Sequence, residues 1–270
     1  MPELNVERGC LYYETHGEGP PLVGIRGLGQ SIPHWLGYGQ TLARHYQVVL
    51  VDLRGAGRTT VPAGLGDTVF DLGGDMIRVL DHLGIESAHF LGISLGGMVA
   101  LAAGLDHAAR CRSLAVVNTS IAGARSMRLT PRALWTGVSG RLLFRRTFQH
   151  RLVELLVGPT ATAELKASIA REYARIDASA GKTALVLRQL GAAARFKIKR
   201  RLSDLDVPTL VVYGTHDRFV SNVNSTKLYD LLPKAKLVPI QDAGHEPSLD
   251  KPSELLEVLQ AWTAENGGVV

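Results

Sequence analysis

Apolar positions along the first 120 residues fall into short runs, separated by polar, glycine-bearing turns. Alternating and β-branched residues predict strands at Leu4–Glu7, Cys10–Thr15 and Pro21–Ile25. Denser runs at 48–52 (VVLVD), 88–94 (AHFLGIS), 113–118 (SLAVVN), 209–214 (TLVVYG) and 236–240 (KLVPI) predict further strands. Runs with so little polar interruption are expected where both faces of a strand are covered, as in a parallel sheet. Between them, apolar residues recur at helical spacing over His34–Tyr46, Thr68–Leu83, Leu95–Ala108, Asn222–Leu232 and Ser253–Thr263. The alternation predicts an α/β fold, a mostly parallel eight-stranded sheet flanked by helices.

That rhythm breaks between about residues 121 and 203, where Arg, Leu and Ala recur at helical spacing and no strand stands out. The pattern predicts a helical cap at 121–203, inserted into a core formed by 1–120 and 204–270. The strand pattern resumes after Val207-Pro208. Inserts at the carboxyl edge of such sheets commonly cover a site and shape its pocket.

Composition narrows the class. The 270 residues are 46% hydrophobic and 20% charged, ordinary for a folded chain with a substantial core. The uncharged stretch Phe90–Leu105 is shorter than the roughly 20 apolar residues of a membrane span, so no membrane partner is expected. The first ten residues, MPELNVERGC, carry charges where a signal peptide needs an apolar stretch. Cys10 and Cys111 match no metal or redox spacing, and a reducing, cytoplasmic setting fits them. The net charge of +5 is concentrated in Arg125, Arg128, Arg132, Arg141, Arg145, Arg146 and Arg151, with no acidic residue between them. No nucleic-acid module accompanies this run, so a solvated or anion-facing surface is expected instead of a nucleic-acid partner.

Gly92-Ile93-Ser94-Leu95-Gly96-Gly97 carries the strongest chemical signal. A G-x-S-x-G between a strand and a helix is the context of a nucleophile elbow. The flanking glycines remove Cβ atoms that would collide in the sharp turn, and the helix start aims amides at the serine. A bland glycine turn is the competing reading. A serine hydroxyl needs a base, and the base needs an orienting group. His245, in Asp242-Ala243-Gly244-His245-Glu246-Pro247, follows the last strand and is the candidate base. His34, His45, His82 and His107 fall in or near amphipathic helices; His16, His89 and His150 lack a favourable context. Asp217, just past TLVVYG, is the candidate orienting acid, with capping of the following helix as its alternative. The end of the preceding strand offers Asn118, not an acid.

The order Ser94, Asp217, His245 and the turn Asp52-Leu53-Arg54-Gly55-Ala56-Gly57-Arg58-Thr59 resemble the α/β-hydrolase superfamily. The likeness spans nearly the whole chain outside the cap. It implies an α/β-hydrolase fold and a Ser–His–Asp hydrolase without cofactor or metal. Family members usually carry His-Gly where this chain has Arg26-Gly27. By carry-over, the N–H groups of Leu28 and Leu95 form the oxyanion hole. Arg26 is expected either to anchor its loop on backbone carbonyls or to pair with a substrate carboxylate.

The segments 91–99 and 112–119 further resemble 3-oxoadipate enol-lactonases and small carboxylesterases, with an outline like that of pimeloyl-carrier methyl esterases. The implied reaction is hydrolysis of a small-molecule ester or lactone, with an acidic carrier protein as a candidate partner and a monomer or homodimer expected. A carbon–carbon bond hydrolase, a perhydrolase or a ligand receptor on the same fold stay open as alternatives.

Overall fold

The computed structural model describes residues 2–64, 66–121, 148–177 and 182–267. Eight strands form one sheet: β1 (Glu3–Val6), β2 (Gly9–His16), β3 (Pro21–Ile25), β4 (Gln47–Val51), β5 (Ala88–Ile93), β6 (Cys111–Val117), β7 (Thr209–Gly214) and β8 (Ala235–Ile240). Their spatial order is β1-β2-β4-β3-β5-β6-β7-β8. β2 runs antiparallel to both β1 and β4, and every pair from β4 to β8 is parallel. The chain leaves central β3 for β4 on one side and later returns to β5 on the other. That reversal opens a crevice at the carboxyl ends of the strands, where ligands of open α/β sheets bind.

Side-chain alternation divides the core by face. Val23, Phe90, Leu114, Val116 and Val211 pack with Met76, Leu80, Val99 and Leu101 from helices α2 (Val69–His82) and α3 (Leu95–Asp106). Leu22, Leu91, Ala115 and Val212 pack on the other face with Leu42 and with Leu255 and Leu259. Those last three come from α1 (Tyr38–Leu42) and α9 (Pro252–Glu265). Each buried Val, Leu, Met or Phe among them contributes about 1.5–3 kcal/mol relative to exposure.

The helix expected over His34–Tyr46 is broken. A short 3-10 turn, Ile32–Trp35, is separated from α1 by Leu36 (φ 45°) and Gly37 (φ 89°), both left-handed. A right-handed helix cannot run through two such residues.

Between β6 and β7 lie three described helices: α4 (Phe148–Leu156), α5 (Ala163–Ile176) and α6 (Lys182–Arg195). The remaining short helices are α7 (Val223–Leu231) and α8 (Pro247–Asp250). Val153, Leu156, Ile169, Ala170 and Tyr173 give α4 and α5 a small core of their own, which Leu36 and Leu249 join. The expected cap at 121–203 therefore lies in part outside the described residues, as do Arg125, Arg128, Arg132, Arg141, Arg145 and Arg146.

Candidate active site

Strand register brings the site together. Ile25 pairs with Gly92, Ile93 with Val117, Val117 with Val212, and Gly214 with Ile240. The loops after β3, β5, β6, β7 and β8 consequently leave the sheet along one edge.

Ser94 alone makes the turn from β5 to α3, at φ 57° and ψ −117°. A non-glycine residue adopts that conformation only where its surroundings enforce it. The Ser94 N–H donates to Val117 O at 2.8 Å, and Thr119 Oγ1 donates to Ser94 O at 2.7 Å. A Cβ on Gly92 would lie 2.2 Å from Gly96 O, and one on Gly96 would lie 2.2 Å from Ile25 O. The two glycines thus let the elbow close on itself and on the strand beside it.

The turn after β3 approaches the elbow so closely that a Cβ on Gly27 would sit 3.3 Å from Ser94 Cβ. Its amides on either side of Leu28 are occupied. Gly27 N–H donates to Gln30 Oε1 at 3.0 Å, and Gly29 N–H to Gln189 Oε1 at 2.7 Å. Between them, the Leu28 N–H has no acceptor among the described residues.

Asp217 and His245 meet across β7 and β8. His245 Nδ1 lies 2.7 Å from Asp217 Oδ2, and both side chains are buried. A carboxylate can only accept, so Nδ1 carries the proton and Nε2 is left as the basic nitrogen. Asp217 Oδ1 accepts from the N–H groups of Phe219 (2.7 Å) and Val220 (2.9 Å). The alternative capping role is therefore met in a different place: one oxygen closes the local turn, while Asn222 starts α7. Phe219 adds a ring 4.9 Å from the imidazole. Burial alone disfavours the imidazolium; Asp217 and then Glu246 outweigh it, with Arg26 opposing, so the His245 pKa lies above its ordinary value.

A second set of residues, unmarked in the sequence pattern, holds the histidine loop. Asn118, left-handed at φ 48°, donates through Nδ2 to Gly244 O (3.0 Å) and His245 O (2.9 Å). Its Oδ1 accepts from Gly214 N at 3.0 Å. The amide is needed because the loop offers two acceptors and the strand one donor, a demand no carboxylate meets. Asp250 Oδ2 accepts from Gly158 N (2.5 Å) and Gly244 N (2.8 Å), fastening the end of α4 to the loop. A Cβ on Gly244 would lie 2.4 Å from the backbone of Val157, so this glycine is required by the close approach of α4.

Arg26 is sealed in this assembly. It forms an ion pair with Glu246 (Nη1 to Oε2, 3.0 Å), each side chain 2% exposed. It also donates to Ser248 Oγ (3.3 Å) and Tyr173 OH (3.3 Å), and its guanidinium lies 4.8 Å from the Trp35 ring. The expected backbone carbonyls are replaced by side chains from the histidine loop and from α5. Gln30 Nε2 donates to both Tyr173 OH (3.1 Å) and Glu246 Oε1 (3.0 Å). Separately, His34 Nε2 contacts Asp177 Oδ1 at 3.1 Å and its Nδ1 accepts from Ser31 N–H, tying α5 to the core.

The α/β-hydrolase fold family matches residues 20–252, and the chain belongs to that family. It is 30% identical to the RutD protein of Azorhizobium caulinodans, provisionally named a carbamate hydrolase, over 98% of this chain and 99% of the relative. It is 28% identical to a pimeloyl-acyl-carrier-protein methyl ester esterase of Aeromonas hydrophila, over 92% of this chain and 96% of the relative. Among solved structures, Est816, described as an N-acyl homoserine lactone degrading enzyme, is 26% identical with a TM-score of 0.76. That likeness covers 97% of this chain and 100% of the other. Among the described residues, no helix is long and apolar enough to cross a membrane.

Proposed function

We propose that the chain is a serine hydrolase that cleaves a carboxylic ester or lactone through an acyl-enzyme, with Ser94, His245 and Asp217 as its triad. The observation that carries this reading is the strained Ser94 at the start of α3, on the sheet edge where His245 pairs with Asp217 at 2.7 Å. Ser94 Oγ attacks the acyl carbon while His245 Nε2 takes its proton. The resulting oxyanion accepts from the N–H groups of Leu28 and Leu95, the first of which has no competing acceptor among the described residues. His245 then returns the proton to the leaving alkoxide, so that the alcohol of an ester departs and the ring of a lactone opens. A water molecule, deprotonated by the same nitrogen, attacks the acyl-enzyme and releases the acid.

Relatives named for a methyl ester, a lactone and a carbamate share the substrate element this sequence of steps requires, an acyl carbon bearing a heteroatom leaving group. An acidic carrier protein on the acyl part is consistent with the esterase relative. A panel of p-nitrophenyl esters, acyl homoserine lactones and carbamates tests the reading, with Ser94→Ala as control. Turnover by the wild type and none by Ser94→Ala is expected. Equal rates for the two proteins on every substrate would refute it. Labelling of Ser94 by a fluorophosphonate reports the nucleophile independently of the acyl group.

A further inference from the structure

We propose that Arg26 and Glu246 form a buried positioning pair that locks the turn carrying Leu28 to the loop carrying His245, with Tyr173 seating cap helix α5 on the same pair. The inference rests on the acyl-transfer reading above.

Placement is its first support. Arg26 immediately precedes Gly27 of the oxyanion turn, and Glu246 immediately follows His245. Their 3.0 Å contact therefore joins two functional loops that share no strand, through side chains with almost no exposure. Glu246 is fully engaged: Oε1 accepts from Gln30, Oε2 from Arg26 and Ser248, and its own N–H donates to Leu156 O at 2.8 Å. Gln30 closes the circuit, since its Oε1 holds Gly27 N–H. An Arg26 already neutralised by Glu246 has no net charge to offer a substrate carboxylate, which favours positioning over substrate contact.

Charge arrangement is the second support. The charged groups acting on the imidazole are Asp217 from the loop after β7, Glu246 beside it in the chain and Arg26 from the turn after β3, with the uncharged Phe219 ring 4.9 Å away. Burial disfavours the charged imidazole, Asp217 and Glu246 favour it, and Arg26 works against them. Removing either member of the pair should therefore shift His245 in opposite directions, a signature that loss of packing alone does not give.

The experiment follows the His245 imidazole by NMR, assigned with His245→Gln, alongside kcat and KM against pH. Glu246→Gln is expected to lower the titration midpoint and Arg26→Gln to raise it, each by about half a unit or more. Arg26→Lys should hold the midpoint near that of the wild type, and all three should lower kcat with little change in KM. Midpoints that stay fixed, or move together in both single variants, would overturn the proposal. So would Arg26 variants that raise KM for anionic substrates alone. Should the single variants fail to fold, the neutral double variant Arg26→Gln/Glu246→Gln decides: about a tenfold loss of kcat supports the pair, and wild-type kcat overturns it. If the folded wild type turned over no ester, lactone or carbamate, the acyl-transfer reading would fail. The opposed shifts in the imidazole titration would still be read separately.

Discussion

At the elbow around Ser94, three glycines leave no room for a Cβ: the obstacles are Gly96 O for Gly92, Ile25 O for Gly96 and the Thr119 side chain for Gly97. At the histidine loop, side chains do the holding. Asn118 just after β6, Asp250 from α8, and Arg26 and Gln30 from the turn after β3 converge on residues 244–246, and Tyr173 from α5 meets Arg26 and Gln30. The elbow is thus fixed by steric fit, against its own turn and against the neighbouring strand and loop, and the histidine loop by polar contacts between distant segments. Such networks are demanding, because a buried polar group that loses its partner costs about 1–3 kcal/mol, and more when charged. The elbow should therefore respond to added volume, and the loop to altered donors, acceptors and charge.

Asp217→Asn is expected to have the largest effect on activity. It removes the acceptor that fixes the Nδ1–H tautomer, and under the proposed mechanism the loss of turnover should approach about 10⁴-fold. The elbow should be untouched, so a crystal structure of the variant should keep Ser94 near φ 57°. A loss below about tenfold would remove Asp217 from the triad. The same pairing sets the pH dependence. With His245 raised above its ordinary 6.5, the basic form is lost as pH falls, so the acid limb of kcat should have its midpoint above 6.5. Any residual activity of Asp217→Asn should show that limb at lower pH.

Gly96→Ala tests the steric side. Its Cβ would press on two backbone carbonyls, Ile25 O at 2.2 Å and Arg26 O at 2.9 Å, and neither can swing aside. We expect a loss of roughly 3 kcal/mol or more by urea denaturation, or no folded protein. Gly74→Ala is the control: it lies on α2 with nothing within 4 Å, and should stabilise by about 0.5–1 kcal/mol.

The contrast also explains what the sequence made legible. Periodicity placed all eight strands within two residues, because apolar burial on two faces leaves a local trace. Gly92 and Gly96 announced the elbow because they flank Ser94 at fixed spacing, although only the demand on Gly92 is local; that on Gly96 comes from Ile25 and Arg26. Chain order marked Asp217 and His245 as candidates, and their 2.7 Å contact gives that order a geometry. Glu246, Tyr173, Gln30 and Asn118 carried no such mark. Their partners lie far away in the chain, 216 positions for Gln30 and Glu246, and nothing local distinguishes a buried glutamate from a solvated one. Asn118 was noticed only as the wrong residue for an acid; its amide is what three backbone groups require. The broken helix at Leu36–Gly37 escaped for the opposite reason, since apolar spacing continues straight through it.

Asn118→Asp tests the polar side without changing volume. A carboxylate would face Gly244 O and His245 O, two acceptors now met by donors. The expected cost is about 2–3 kcal/mol at neutral pH. Repulsion would raise the folded-state pKa of the new carboxyl, so the deficit should shrink as pH falls and the group protonates. A deficit independent of pH would mean that the loop is held by packing after all.

The smallest expected effect belongs to Tyr173→Phe. The hydroxyl accepts from Arg26 and Gln30, but both donors keep Glu246 as a second partner. The ring would still pack against His34 at 4.8 Å and within the small α4–α5 core. Two hydrogen bonds are cut but no charge is left bare, so the loss of stability should be about 1–2 kcal/mol. If α5 were joined to the loops beside it chiefly by packing, the variant would be indistinguishable from the wild type. A loss above about 3 kcal/mol would instead make the hydroxyl the keystone of the network and Arg26–Glu246 dependent on it. Thermal unfolding followed in parallel with kcat separates the cases, because the seating of α5 should alter stability while leaving the Asp217–His245 contact, and with it the acid limb of kcat, where it is.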